Sequence, residues 1–175
     1  TVSNLSSTRA LRDITERHGG QYFASAVGEV NVVTEMKNRN AVIGGEGNGG
    51  VIVPGLHYGR DAMAGVAIFL TLLAKSGQTV SALKAGYPEY HMVKDRIELT
   101  PQIDVDGLLK DLENKFKSED YNTIDGLKID FADGWVHLRK SNTEPIIRVY
   151  AEGQSPEAAQ AFADRMKSAA LELIG

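Results

Sequence analysis

The 175 residues (19.0 kDa) suffice for one compact domain or two small ones. With 42% hydrophobic and 24% charged residues, wholesale disorder and a collagen-like fibre are excluded, and the absence of Cys removes a disulfide framework, a thiolate nucleophile and a Cys-ligated zinc site. A net charge of −4 with pI near 5.6 argues against a partner as acidic as duplex nucleic acid, and the cysteine-free composition makes a cytoplasmic protein the default expectation.

In chain order, TVSNL reads as a short buried strand, and Ser7 offers an N-cap to a helix from about Thr8 to His18, stopped by Gly19. Tyr22 to Val27 is a second strand candidate, and Val30 to Lys37 a short helix. Ala41 to Gly44 is a third apolar strand entering the cluster Gly44-Gly45-Glu46-Gly47-Asn48-Gly49-Gly50, with Val51 to Val53 resuming strand character. A loop then leads to a long helix capped by Asp61 and ended by Gly77. Its apolar stretch, Ala62 to Ala74, is too short for the roughly 20 residues of a membrane span and is expected to be a core helix. Strand–helix alternation predicts a layered α/β/α domain with a mixed sheet over residues 1–86.

Around Gly86 to Tyr90 the apolar periodicity lapses and Pro88 appears, which marks a boundary. Beyond it, His91 to Leu99 is a strand candidate and Asp104 to Phe116 an amphipathic helix with Leu108, Leu109, Leu112 and Phe116 at helical spacing. Leu127 to Ala132 and Trp135 to Arg139 read as a hairpin turned by Asp133-Gly134 in type I′ geometry. Ile146 to Ala151 adds a strand, and Ser155-Pro156-Glu157 opens a C-terminal helix. Residues 92–175 therefore predict a small α+β domain, an antiparallel sheet covered by two helices. The chain opens at Thr1 inside an apparent strand, with no initiator Met and no targeting segment, which suggests a piece of a longer protein.

Two loops carry candidate chemistry. Arg139-Lys140-Ser141-Asn142-Thr143-Glu144-Pro145 lies between two strands and is followed by Arg148. A phosphate dianion wants planar bidentate donors, hydroxyls, amides and exposed backbone N–H groups, and Arg139, Ser141, Asn142 and Thr143 supply these within five positions. The same residue types also build a polar β-turn, and composition alone divides evenly between the two. Glu144 counts against a cradle unless its carboxylate points away, and Arg148 can equally pair with it. In the other loop, Glu46 stands among glycines and leaves an ionised acceptor with little steric cover, suited to two neighbouring sugar hydroxyls with Asn48 beside it. By local reasoning alone a glycine-rich hairpin is the commoner outcome. The four His have no metal-ligand spacing, and no metal site is expected in this chain. Trp135, Phe131 and Tyr150 read as core residues.

Taken together, GGEGNGG, the YGRD helix start and RKSNTEPIIRVYAE closely resemble the third and fourth domains of the α-D-phosphohexomutases. That family includes phosphoglucomutases, phosphomannomutases and phosphoglucosamine mutases. The resemblance covers essentially the whole chain and implies that Glu46 and Asn48 bind sugar hydroxyls. It likewise implies that Arg139, Ser141, Asn142 and Thr143, with Arg148, hold the phosphate that is not being transferred. The family reaction moves a phosphoryl group between O1 and O6 of a hexose through a phosphoserine enzyme and a bisphosphate intermediate. Its nucleophilic Ser lies in a Ser-His-Asn loop and its Mg²⁺ in an Asp-rich loop, and neither motif occurs here, so this chain by itself is expected to be inactive. Many members have Ser in place of Asn48 and His in place of Gly50. An Asn in the sugar loop is similar to that of acetylglucosamine-phosphate mutases and leans toward a hexosamine phosphate, as in phosphoglucosamine mutases. Phosphomannomutase or phosphoglucomutase specificity, or a non-catalytic sugar-phosphate-binding module, are the alternatives. The expected partners are thus a hexose or hexosamine phosphate and its bisphosphate, with neither nucleic acid nor membrane.

Overall fold

In the computed structural model, which describes residues 1–100, 102–141 and 143–174, two units follow one another, Thr1–Glu89 and Tyr90–Gly175. The first is a mixed sheet. Strands β1 (Val2–Asn4), β2 (Phe23–Ser25) and β3 (Gly44–Glu46) run parallel. Strands β4 (Gly50–Val53) and β5 (His57–Arg60) fold back antiparallel, giving the order β2-β1-β3-β4-β5. Helix α1 (Ala10–Arg17) links β1 to β2, and α2 (Glu29–Arg39) links β2 to β3.

The core of this unit forms where α2 lays Val32 and Met36 on Val2 and Ile52 of the sheet, all wholly buried. The glycines of the cluster sit inside the strands as well as in the turn between them. Ala41 to Ile43, expected to be strand, is a lead-in, and β3 begins only at Gly44. Gly44 and Gly45 are there because of crowding: a Cβ on Gly44 would meet the Met36 sulfur, and one on Gly45 the Gly50 carbonyl. Edge strand β5, read from the sequence as loop, pairs with β4 through a register shift between Ile52 and Val53.

Helix α3 (Ala62–Ser76) starts and stops as expected. The Asp61 carboxylate accepts from the Ala64 N–H at 2.9 Å, and Gly77 closes the helix in the left-handed region at φ 64°. It is not a core helix, however. Only Ala64 is buried, while Met63, Val66, Ile68, Phe69, Leu70 and Leu72 are exposed. A helix apolar on all sides can give one neighbour only one stripe, and here β4 takes Ala64 and Gly65, the latter against Val51. A short helix, α4 (Val80–Ala85), follows under a Thr79 cap.

The second unit is an antiparallel sheet of order β6-β10-β9-β8-β7, from β6 (His91–Glu98), β7 (Asp120–Asn122), β8 (Leu127–Asp130), β9 (Gly134–Lys140) and β10 (Ile146–Gly153). Helices α5 (Val105–Lys115) and α6 (Pro156–Ile174) cover one face, where Leu112, Ile129, Leu138, Val149 and Met166 are fully buried. Ser155 caps α6 as the sequence indicates, and Asp104, expected inside α5, is its N-cap. The β8–β9 turn differs from the expectation. Phe131 donates its N–H to the Gly134 carbonyl at 2.8 Å, so the two turn residues are Ala132 and Asp133, and Gly134 opens β9 without a positive φ. Gly134 is required by packing instead, since a Cβ there would strike the Glu152 carbonyl and the Phe162 ring.

Candidate functional site

The two candidate loops lie one in each unit. In the first unit, Asn4 ends β1, Glu46 ends β3 and Gly28 follows β2. All three stand at the carboxyl ends of parallel strands, where the order β2-β1-β3 places the chain's switch of direction. That is the place where open α/β sheets receive ligands. Glu46 is not left uncovered by its glycines. Its Oε1 accepts from Asn4 Nδ2 at 2.8 Å and from the Gly28 N–H at 3.1 Å, while Oε2 has no hydrogen bond among the described residues. The carboxylate is therefore held from one side and can accept from the other.

Ser7, expected to cap α1, does different work. Its hydroxyl donates to Asn4 Oδ1 at 3.0 Å and accepts the Gly47 N–H at 2.9 Å, tying the glycine turn to the end of β1. Helix α1 begins after Arg9 with no side-chain cap, and Thr8 receives the Ala10 N–H instead. The sequence singles out neither Asn4 nor Gly28, and Ser7 only as a helix cap. The available signal was Asn and Ser directly after an apolar strand, which reads equally well as an ordinary turn.

Glu46 and Asn48 do not converge. Glu46 borders a cavity of 230 Å³ together with Ser3, Ser7, Leu11, Ile43 and Val51. Asn48 borders an adjoining, wider hollow of 660 Å³ with Glu29, Gly50 and Arg60, and its Oδ1 accepts the Gly50 N–H at 3.3 Å. Arg60 is held there by Glu29, whose Oε1 accepts the Arg60 N–H at 3.1 Å and whose Oε2 lies 2.9 Å from Nε.

In the second unit, β9 alternates between two faces. Val136 and Leu138 point into the core, and Trp135, His137 and Arg139 point to the face without helices. Register puts Arg148 directly opposite Arg139, and Arg96 directly opposite Arg148, so three arginines form a row across β9, β10 and β6. Arg96 pairs with Glu98 at 2.6 Å. Arg148 is exposed and, among the described residues, has no ion pair, Glu144 included. Arg139 Nε lies 2.8 Å from Asp125 Oδ2; its N–H is not aimed along that line, so the contact is an ion pair rather than an aligned hydrogen bond. No hydrogen bond to the terminal nitrogens of Arg139 occurs among the described residues.

The bend after Arg139 partly satisfies itself. The Ser141 N–H donates to the Ile146 carbonyl at 3.0 Å, and the Thr143 N–H reaches Ser141 Oγ only at 3.4 Å. The two hydroxyls stand 3.4 Å apart, a distance at which either can turn to a ligand. Asn142 lies outside the described residues. Ser141, Lys140 and Glu144 border a cavity of 300 Å³ with Leu99, Thr100 and Pro145, so Glu144 shares the hollow that Ser141 lines. Of the aromatic residues, Phe131 joins the core. Trp135 is fully buried on the other face, its Nε1–H donating to Glu152 Oε1 at 2.8 Å with Lys128 over its ring, and Tyr150 is half-buried beneath Lys94. Trp135 is thus buried as expected, though outside the cluster beneath the helices, while Tyr150 is only half-buried.

The fold is thus a mixed-sheet α/β unit followed by an antiparallel α+β unit. Residues 1–90 match the family described as phosphoglucomutase/phosphomannomutase, alpha/beta/alpha domain III, and residues 94–169 match the C-terminal domain of the same description. The chain belongs to the phosphoglucomutase/phosphomannomutase family, that is, the α-D-phosphohexomutases. It is 35% identical over 163 residues to a phosphoglucomutase/phosphomannomutase of Thermococcus kodakarensis, covering 92% of this chain and 35% of that protein. It is 32% identical over 168 residues to a phosphoglucosamine/phosphogalactosamine mutase of Sulfurisphaera tokodaii, covering 95% and 37%. Among solved structures, a family protein of Burkholderia thailandensis matches with a TM-score of 0.77 and 26% identity over 96% of this chain and 36% of that one. Aspergillus fumigatus N-acetylphosphoglucosamine mutase, solved with GlcNAc-6P and magnesium, shares the fold at a TM-score of 0.64 and 17% identity, over 96% and 38%. The chain spans little more than a third of the length of these relatives.

Proposed function

We propose that this chain is the substrate-binding part of a phosphohexomutase that interconverts hexose 1-phosphate and 6-phosphate through a phosphoserine enzyme and a bisphosphate intermediate. A hexosamine phosphate is the preferred substrate. The observation that carries the reading is Arg139. Its guanidinium is half-buried on the helix-free face of the sheet, on the strand that runs into the bend carrying Ser141 and Thr143, with its terminal nitrogens unclaimed by the described residues. A planar pair of N–H donors, followed in the chain by two hydroxyls, suits a phosphate dianion. Glu46, held on one oxygen by Asn4 and Gly28, suits two ring hydroxyls on the other. An intermediate that must react at either end needs grips that serve both orientations, and a phosphate holder with a hydroxyl reader meets that need by positioning rather than by bond making. Relatives named phosphoglucosamine mutase support the hexosamine.

Among the described residues no three His, Asp or Glu side chains gather to hold a cation. The residues present do not fit magnesium. In this proposal the ion and the phosphoserine belong to other domains of the intact enzyme, and no step is routed through them here.

The test is a coupled mutase assay of the intact enzyme on glucosamine, glucose and mannose phosphates, with and without Arg139→Ala. One charge-assisted contact is worth about 1.5–3 kcal/mol, so kcat/KM should fall about 10- to 150-fold, with KM raised. Unchanged kinetics would remove Arg139 from the site. Binding of sugar phosphate without any turnover would make the chain part of a non-catalytic module.

A further inference from the structure

We propose that Asp125 is the positioning residue that holds the Arg139 guanidinium on the sheet face and turns its terminal nitrogens toward the phosphate. The proposal rests on the reading of Arg139 given above and names the group that makes that arginine usable. Three observations carry it.

The first is the contact itself. Asp125 Oδ2 stands 2.8 Å from Arg139 Nε, with both side chains roughly a fifth to a quarter exposed. A carboxylate on Nε occupies the inner edge of the guanidinium and leaves the two terminal nitrogens as a planar pair for an anion.

The second is that Asp125 is not a mobile surface carboxylate. Gly126, next to it, adopts φ 77° and passes so close under β9 that a Cβ would strike the Leu138 carbonyl and approach the Arg139 Cα at 3.2 Å. His137 Nε2 lies 2.7 Å from the Asp125 carbonyl. An oxygen acceptor there requires Nε2 to be the protonated nitrogen, so His137 donates and pins the bend from the strand that carries Arg139. A buried donor on β9, a glycine with left-handed backbone and the carboxylate before it thus fix the bend that stands against one arginine.

The third is charge. Arg148 sits directly opposite Arg139 across β9 and β10 and has no ion pair among the described residues. Like charges in directly opposed positions repel. Without a counter-charge on its far side, Arg139 would be pushed away from the row and toward solvent; Asp125 supplies that charge while leaving Arg148 facing the same approach.

The experiment is a double-mutant cycle in the intact enzyme, Asp125→Asn and Arg139→Ala singly and together, reading KM and kcat for the hexose phosphate that the wild type prefers. Asp125→Asn is expected to raise KM about tenfold and to change kcat less than threefold, because the contact serves a phosphate that is not transferred. In the Arg139→Ala background it should change KM less than twofold. If Asp125→Asn leaves KM within twofold while Arg139→Ala raises it, the positioning role is overturned and the phosphate reading stands. An equal effect of Asp125→Asn in both backgrounds would also overturn it, marking a structural role. If Arg139→Ala itself has no effect, the reading beneath the proposal fails first. Asp125→Ser repeats the cycle should the Asn variant fold poorly, with thermal melting of each variant as the control.

Discussion

At the scale of single residues, His137 shows how much burial alters a side chain that the sequence presents as unremarkable. It is 1% exposed, and burial holds its pKa down from 6.5 to about 4, with the nearby Lys128 pushing the same way and the Asp125 carbonyl opposing. The unfolded chain therefore binds a proton between pH 6.5 and 4 that the folded chain refuses, and stability must fall as pH falls through that window. The full difference is about 3 kcal/mol for a shift of this size. Denaturant titrations at pH 7 and pH 4.5 should show most of that loss, and His137→Gln, which keeps a donor for the Asp125 carbonyl, should flatten it. Asp95 acts in the same direction, its stabilisation also being lost as pH falls, but in a more acid window. Its hydrogen bond to Lys167 at 2.6 Å lowers its pKa below the ordinary 3.8, so its contribution is lost only at more acid pH. The two windows separate the two groups. Of the candidate site, Arg139, Ser141 and Glu46 were legible as residue types suited to a ligand. Asn4, Ser7 and Asp125 were not, because each acts on a partner distant in sequence, 42 positions away in the case of Asn4 and Glu46.

At the scale of elements, local rules did well where a boundary is decided by neighbouring backbone. The Asp61 and Ser155 caps and the Gly77 stop all fall where capping chemistry puts them. They did badly where a third partner decides. Asp133-Gly134 is the favoured dipeptide for a two-residue turn, yet the turn is Ala132-Asp133, because Gly134 is needed beneath Phe162. Helix α3 is the largest departure. Its composition says core, but a single strand beside it buries only Ala64. Substitutions should report this directly. Leu112→Ala, in a side chain fully buried beneath the antiparallel sheet, should cost about 2–5 kcal/mol by chemical denaturation. Leu70→Gln, in a side chain 54% exposed on α3, should change stability by no more than about 0.5 kcal/mol. A loss at Leu70 as large as at Leu112 would contradict the exposure of α3.

At the scale of the whole molecule, charge and family meet. The net charge of −4 excludes a generally basic surface, but the sheet collects Arg96, Arg148 and Arg139 in one row, with Lys94 over Tyr150 beside it. No run of basic residues announces that row, since its members lie 43 and 9 positions apart (139 − 96 and 148 − 139) and only strand register unites them. Two of the three are offset by Glu98 and Asp125. A fluorescent oligothymidine should therefore bind no tighter than the non-specific range of about 10⁻⁴–10⁻⁶ M at physiological salt. Submicromolar binding that weakens with salt would make the row a nucleic-acid surface. No helix of the described residues is long and apolar enough to cross a membrane.

Sequence alone determined the two-part α/β and α+β plan, most of the helix ends, the family, and the loops that carry Glu46 and Arg139. All of these rest on interactions within a few residues or on a linear motif. Tertiary structure alone decided which oxygen of Glu46 Asn4 and Gly28 occupy, that Asn48 borders a different hollow, that α3 lies open and that Asp125 stands against Arg139. Each of these is a contact between residues that only pairing of strands and packing of helices bring together, and linear spacing does not encode them.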